Sequence, residues 1–212
     1  MNTLLMDTSS SKMLVALDVS GNLQAGEEYN TPKHLETLMP AVDQLLKKNN
    51  YSVSNIDYLG VVVGPGSFTG IRIAVSTAKA MMMVNKKIKA IEVNSLELIA
   101  KSYYKTTQYE GKIAVVIPTT IKKAYLGLFE KGVRIGQDSI VELESLSETV
   151  GDCKVISTVA INESVTVYSI NENDLNNYVQ EKIENKSFCS KLSPCYIGVS
   201  QAEEQFKNKE KK

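Results

Sequence analysis

Short apolar runs come before helical periodicity at the start of the chain. Three runs have strand length, at residues 3–6, 13–19 and 23–29, and Gly21-Asn22 marks a tight turn before the third. Apolar residues then recur at the i, i+3, i+4 spacing of one helix face: Leu35, Leu38, Met39, Val42, Leu45 and Leu46. We expect this helix to span residues 31–48, with Thr31 as its N-cap and Pro32 in its first turn.

The pattern continues as strand, helix, strand, helix up to residue 104. A continuous apolar run at residues 58–63 ends in Gly64-Pro65-Gly66, and helical periodicity follows at 69–84. Residues 88–92 read as a strand and 95–104 as a helix, where Asn94 and Glu97 have the spacing of a capping box. The first half is therefore predicted to be βββαβαβα.

The same order restarts after the polar residues 105–108. Strands are predicted at 112–117, 123–129 and 132–141, a short helix at 145–150, strands at 154–158 and 165–170, and a helix at 174–185. The middle helix of this half is missing. The pattern predicts an α/β fold of two βββαβαβα-type halves with the second half reduced, which is typical of actin, sugar kinases and Hsp70-type ATPases. We expect an N-terminal half at 1–104, a C-terminal half at 105–199, and a C-terminal helix and charged tail at 200–212.

Charge and composition remove several classes of function. Lys and Arg number 24 and so do Asp and Glu, with nine of each sign in residues 1–100 and fifteen in 101–212, so neither half reads as a polyanion binder. One histidine and three cysteines without a C-x-x-C pair predict no metal site and reduced thiols in a cytosolic protein. No signal peptide is expected, and no apolar run approaches the ~18 residues of a membrane span.

The strongest local motif is the glycine-rich stretch at residues 64–72, between an apolar strand and a helix. Its spacing is neither that of a dinucleotide fingerprint nor that of a P-loop, because Gly70 is followed by Ile71. Either an anion-binding loop or a tight packing turn is compatible with it. Gly70, Ala74 and Ala78 then form a smooth strip that favours close packing.

The nucleotide-binding elements of an actin-like fold are incomplete in this sequence. Asp7-Thr8-Ser9 follows the first strand, where such folds carry an acid for phosphate, although Asx and Ser turns give the same pattern. The corresponding turn of the second half, at residues 118–123, has no carboxylate, and residues 155–163 lack the glycine pair expected against an adenine. We therefore expect no bound cofactor and no ATPase or kinase activity. His34 has no nucleophile in a recognisable signature, so we expect it to pack or to line an interface.

The sequence Gly-Pro-Gly-Ser-Phe-Thr-Gly-Ile-Arg-Ile at residues 64–73 resembles the signature of the bacterial TsaB (YeaZ) family. Residues 5–9, 34–40 and 94–97 support the resemblance, as do Pro-Cys-Tyr-Ile at 194–197 and Ala202-Glu203. Two positions depart from the family pattern. Pro118-Thr119-Thr120 stands where the family has Asp-Ala-Arg, and Gly198 stands where it has a late Arg.

The resemblance implies a non-catalytic scaffold for making N6-threonylcarbamoyladenosine (t6A) at adenosine 37 of tRNAs that read ANN codons. It implies binding to a TsaD-type catalytic subunit, with a TsaE-type ATPase joining the pair and a homodimer forming when the chain is alone. Contact with tRNA would be indirect, and the protein would work in the cytoplasm without a membrane. The alternative is an ATP-binding enzyme of the actin-like superfamily, a kinase or a glycoprotease-like peptidase.

The same resemblance places the partner interface on the two helices of the first half. The predicted interface residues are His34, Leu35, Leu38, Met39, Val42, Leu45, Gly70, Ile73, Ala74, Thr77 and Met81. The sequence does not decide which stripe of each helix faces the sheet. The degenerate loops of the nucleotide cleft are predicted at Asp7, Thr8, Ser9, Gly64 and Gly66.

Overall fold

The computed structural model describes residues 1–198, and the first half follows the predicted order of elements. The strands and helices, in chain order, are β1 (Asn2–Asp7), β2 (Lys12–Val19), β3 (Asn22–Asn30), α1 (His34–Lys48), β4 (Tyr58–Gly64), α2 (Phe68–Val84), β5 (Lys89–Asn94) and α3 (Ser95–Thr107). A single 3-10 turn, Val53–Asn55, lies between α1 and β4. The βββαβαβα order is confirmed.

The second half repeats this order without the middle helix. Its elements are β6 (Lys112–Pro118), β7 (Lys123–Glu130), β8 (Val133–Glu142), α4 (Leu146–Val150), β9 (Lys154–Ser157), β10 (Thr166–Val167) and α5 (Glu172–Glu184), with a 3-10 turn at Leu143–Ser145. The predicted fold, with a reduced second half, is confirmed. The boundaries at 104 and 199 stay predictions, and the expected helix and tail at 200–212 lie outside the described residues.

Two five-stranded sheets of matching topology form the two halves. The strand orders are β3-β2-β1-β4-β5 and β10-β9-β6-β7-β8, so each sheet has an antiparallel three-strand meander followed by parallel strands. The first strand of each half lies at the centre and is buried along most of its length. The chain therefore repeats one architecture, although its sequence shows no residue-level repeat.

Helices α3 and α5 join the two halves. From α5, in the second half, Leu175 and Val179 are buried with Leu5 and Val62 on the first sheet. In the other direction, α3 buries Leu96, Ile99 and Tyr103 against the second sheet, in contact with Phe129. Burying one such side chain stabilises a fold by about 1.5–3 kcal/mol. The two sheets consequently depend on each other's helices.

A cluster of charges around Glu97 connects α3, α5 and β8. The Glu97 carboxylate lies 3.5 Å from Lys101 Nζ, 3.5 Å from Lys182 Nζ and 3.8 Å from an Arg134 terminal nitrogen. Its side chain is 22% exposed, so solvent screens these pairs less than surface pairs. Burial is the main cause that raises the pKa of Tyr178 above its usual value, and the nearby Glu97 charge raises it further.

Two predicted helix starts differ in detail from the structure. Helix α1 begins at His34, and the predicted cap at Thr31 is wrong: β3 extends to Asn30, and the Thr31 hydroxyl accepts a hydrogen bond from Lys33 N at 3.1 Å in a turn. At α3 the Asn94 side chain accepts from Glu97 N at 3.0 Å as expected. The Glu97 carboxylate faces the cations of its cluster, so the predicted capping box is only half formed.

No helix within residues 1–198 combines the length and apolar character that crossing a membrane requires.

Helices α1 and α2 pack side by side on one face of the first sheet, where their apolar stripes share a core cluster with β1, β2 and β4. This placement leaves their opposite stripes turned away from the sheet.

The Glu97 cluster gives a first stability prediction. Glu97→Gln keeps the shape of the side chain and leaves three cations without their shared carboxylate, so the free energy of unfolding should fall by about 1–2 kcal/mol. The control is Glu36→Gln, because Glu36 is 71% exposed and, within residues 1–198, pairs only with Lys33 at 3.6 Å. Urea unfolding at 25 °C measures both, and equal stabilities of the two variants would contradict the prediction.

Candidate functional site

The glycine-rich loop after β4 lies against the turn that follows β1. The two strands are parallel neighbours in the sheet, with Met6 opposite Val61, so their carboxyl ends meet at one edge. This edge is where open α/β sheets bind ligands. Of the predicted cleft residues, Ser9 is thereby brought against Gly66, whereas a Cβ on Gly64 would meet Ile71 and the Cys195 carbonyl.

Backbone groups of the loop and the turn are in direct contact. Ser67 N donates to Ser9 O at 2.7 Å, and the fully buried Thr8 hydroxyl donates to Gly70 O at 2.6 Å. A Cβ on Gly66 would lie 2.4 Å from Ser9 O, and one on Gly70 would lie 1.8 Å from Thr8 O. The motif needs glycine because two backbone segments touch there, which supports the tight packing turn over the anion-binding loop.

Asp7 and His34 both contact backbone of the turn that follows β1. Ser9 N donates to Asp7 Oδ1 at 2.7 Å, and His34 Nε2 lies 3.5 Å from Ser11 O with the imidazole largely buried. Burial raises the pKa of the Asp7 carboxyl above its usual value, and the Ser9 hydrogen bonds and the charges of His34 and Lys12 partly offset this rise. The acid of the first turn therefore bonds local backbone, as in an Asx turn.

The corresponding turn of the second half is also bonded to itself. Thr119 N donates to Lys123 O at 2.9 Å, and the Thr120 hydroxyl accepts from Lys123 N at 3.0 Å. Among residues 1–198 no group of three or more His, Cys, Asp or Glu side chains is arranged to hold a metal ion. The polar groups of both turns are therefore bonded to nearby backbone.

Two shallow surface pockets lie elsewhere. One of about 440 Å³ is lined by Tyr109, Lys112 and Cys153 among others. The second, of about 400 Å³, lies between α3, α5 and the turn from β7 to β8. Neither is lined by a residue of the first-strand turn or of the glycine-rich loop.

The predicted interface residues divide into two groups by exposure. Most belong to the core of the first half: His34, Leu38, Val42, Leu45, Gly70, Ala74 and Met81 are buried. Their side chains pack within this chain, because the stripe that carries them is the one facing the first sheet. Four others remain accessible, with Leu35 77% exposed, Met39 48% exposed, and Ile73 and Thr77 half-buried.

Further exposed apolar residues on α2 were not among the predicted ones. Phe68 is 45% exposed, and Met83 and Val84 are 71% and 80% exposed at the other end of the helix. We call the accessible side chains of the two helices together the two-helix face: Leu35, Met39, Phe68, Ile73, Thr77, Met83 and Val84. Three consecutive methionines, at residues 81–83, were a usable signal, because a helix cannot bury three successive side chains on one face.

A stacked cluster lies at the start of α2. The Arg72 guanidinium is 3.7 Å from the Phe68 ring centroid, and Arg72 Nε donates to the Tyr196 hydroxyl at 2.7 Å. The Phe68 and Tyr196 ring centroids are 5.3 Å apart. The i, i+4 spacing of Phe68 and Arg72 signals their contact, whereas nothing local in the sequence indicates Tyr196.

The chain is similar to proteins of one family. The family model described as "TsaD: tRNA N6-adenosine threonylcarbamoyltransferase" matches residues 28–198. Curated relatives named "tRNA threonylcarbamoyladenosine biosynthesis protein TsaB" include one from Haemophilus influenzae, 26% identical over 53% of this chain and 48% of that protein. Another, from Bacillus subtilis, is 31% identical over 61% of this chain and 56% of the relative. The chain thus spans about half the length of the curated relatives that it matches.

The fold is shared with a solved structure. "YeaZ from Pseudomonas aeruginosa" superposes with a TM-score of 0.76 at 20% identity, over 92% of this chain and 99% of that one. At this identity the likeness concerns the fold. It supports the two-half architecture independently of the sequence motif.

The close contact at Gly70 yields a prediction for the site. Gly70→Ala should lower the free energy of unfolding by about 1–3 kcal/mol, because its Cβ would overlap the Thr8 carbonyl and force backbone to move. Ser76→Ala serves as the control, since Ser76 is an exposed residue of the same helix. Thermal unfolding followed by circular dichroism measures both variants. A Gly70→Ala protein as stable as the Ser76→Ala protein would show that the two segments are not in contact.

Proposed function

This chain belongs to the family of TsaD-type tRNA N6-adenosine threonylcarbamoyltransferases and, within it, to the TsaB (YeaZ) family of t6A biosynthesis proteins, and we propose that it is a non-catalytic scaffold. It binds and supports a TsaD-type catalytic subunit that modifies adenosine 37 of tRNAs reading ANN codons. A TsaE-type ATPase joins this pair, and a homodimer forms when the chain is alone. The chain works in the cytoplasm, and tRNA is held by its partners.

The observation that supports this proposal most is the two-helix face. Leu35 and Met39 are exposed on the first two turns of α1, next to α2 on the same side of the sheet. On α2, Phe68 and Met83 are exposed on one stripe, and Val84 is exposed on another stripe together with half-buried Ile73 and Thr77. Scattered single apolar residues are common on protein surfaces, whereas a set concentrated on two packed helices is typical of an interaction surface.

The local bonding of the cleft supports the scaffold role over the enzyme role. Asp7 accepts a backbone hydrogen bond, and the turn at residues 118–123 offers no second carboxylate. Close contacts at Gly66 and Gly70 hold α2 against the turn after β1. A kinase or ATPase of this superfamily would need these groups for phosphate and metal.

Association through the two-helix face can be tested with one charge. Met39→Glu should weaken binding to the TsaD-type subunit by at least about tenfold, because the carboxylate would lose water in an apolar interface. Ile121→Glu is the matched control, as Ile121 is 97% exposed on the second half. Size-exclusion chromatography and calorimetry of the pair measure the effect, and unfolding curves should match the wild type. Undiminished binding of the Met39→Glu protein would overturn the interface assignment. A charge at Met81 would not serve, since that side chain is in the core.

The scaffold and enzyme roles predict opposite effects of changing Asp7. If the chain only supports its partner, Asp7→Asn should change the rate of reconstituted tRNA modification less than about twofold, whereas Met39→Glu should abolish most of it. Micromolar ATP binding by the isolated chain that is lost in Asp7→Asn would favour the enzyme alternative. Calorimetric titration with ATP and a t6A assay together separate the two roles.

A further inference from the structure

The two helices of the two-helix face differ in how their charges are neutralised. On and beside α1 the cations pair within the chain: Lys33 with Glu36 at 3.6 Å, Lys47 with Asp43 at 2.7 Å and Lys48 with Glu27 at 3.0 Å. Helix α2 contains Arg72 and Lys79 and no acidic residue. Within residues 1–198 neither of these two cations takes part in an ion pair. The exposed side of α2 is therefore cationic as well as apolar.

Contacts within residues 1–198 fix the orientation of the Arg72 side chain and use one of its hydrogen-bond donors. Its guanidinium stacks on Phe68, and its Nε hydrogen bond to Tyr196 fixes the plane of the group. In the described part of the chain its two terminal nitrogens make no hydrogen bond. A planar guanidinium whose orientation is already fixed loses little freedom when it binds a carboxylate in a bidentate manner.

Arg72 and Lys79 lie on one stripe of α2. Seven residues of helix advance about 10.5 Å and return to nearly the same side. Exposed Phe68 lies one turn before Arg72, and exposed Met83 lies one turn after Lys79. The stripe consequently presents apolar, cationic, cationic and apolar groups in order.

We propose that the surface which binds this stripe carries two carboxylates about 10 Å apart between apolar groups, one bound by Arg72 and the other by Lys79. The inference rests on the proposed function and identifies the partner chemistry of that same site.

The unpaired cations of α2 favour a different subunit over a second copy of this chain. In a two-fold dimer that brings α2 against α2, each cation meets cations, and the carboxylates of α1 are already paired with lysines. The cations of α2 therefore favour binding to a different protein with an acidic surface.

Binding to the TsaD-type subunit tests this proposal, by calorimetry at 0.05 M and 0.5 M NaCl. The double variant Arg72→Gln and Lys79→Gln should weaken binding about tenfold or more at low salt and remove most of its salt dependence, because the screening length falls from about 14 Å at 0.05 M to about 4 Å at 0.5 M. Lys33→Gln with Lys47→Gln removes the same net charge from internally paired sites, so it should change affinity less than about twofold. Arg72→Lys keeps the charge but loses the fork and should weaken binding about threefold.

The outcomes separate this inference from the proposed function. If the wild type binds and the α2 double variant binds equally well with the same salt dependence, the carboxylate pair is refuted while the scaffold role stands. If the wild type does not bind the TsaD-type subunit, both fail. Self-association, measured by analytical ultracentrifugation, should be unchanged or stronger in the α2 double variant. A loss of self-association as large as the loss of partner binding would show that the cations serve a second copy.

Discussion

The contact between helix α2 and the turn after β1 determines where the rest of the first half can lie. Gly70 touches the Thr8 carbonyl, and Gly66 touches that of Ser9, so helix and turn approach as closely as two backbones can. Side chains on either glycine would push the helix off the sheet. With α2 in this position, α1 packs beside it on the same face of the first sheet. The same contact uses the polar groups that an actin-like cleft would present to phosphate.

The second half supports the first by lending it a helix and a final segment of chain. Helix α5 covers the face of the first sheet opposite α1 and α2, and the residues after it run along β5, where Cys189 N donates to Ala90 O. Cys195 N then donates to Val63 O, and Tyr196 reaches Arg72. The reduced half thus retains the parts that hold the two-helix face in place.

Periodicity and turn residues were sufficient to predict the fold, because strands and helices here bury regular stripes. The start of α1 was missed because Thr31, a good cap by type, bonds within the turn that ends β3. The stripe of α1 and α2 that faces outward could not be predicted, since both helices have apolar residues on two sides. Leu38 and Leu35 look alike in sequence, and only the position of the sheet separates the buried one from the exposed one. The Tyr196 contact joins residues 124 positions apart and leaves no local signal.

The central claim is that the outer stripes of α1 and α2 receive the catalytic partner. Amide hydrogen exchange of this chain, alone and with the TsaD-type subunit, tests it most directly, since binding slows the opening of the segments that it covers. We expect the added protection in His34–Lys48 and Phe68–Val84, with little change in Lys112–Pro118 or Lys123–Glu130. Protection concentrated on the second sheet, with α1 and α2 unchanged, would contradict it.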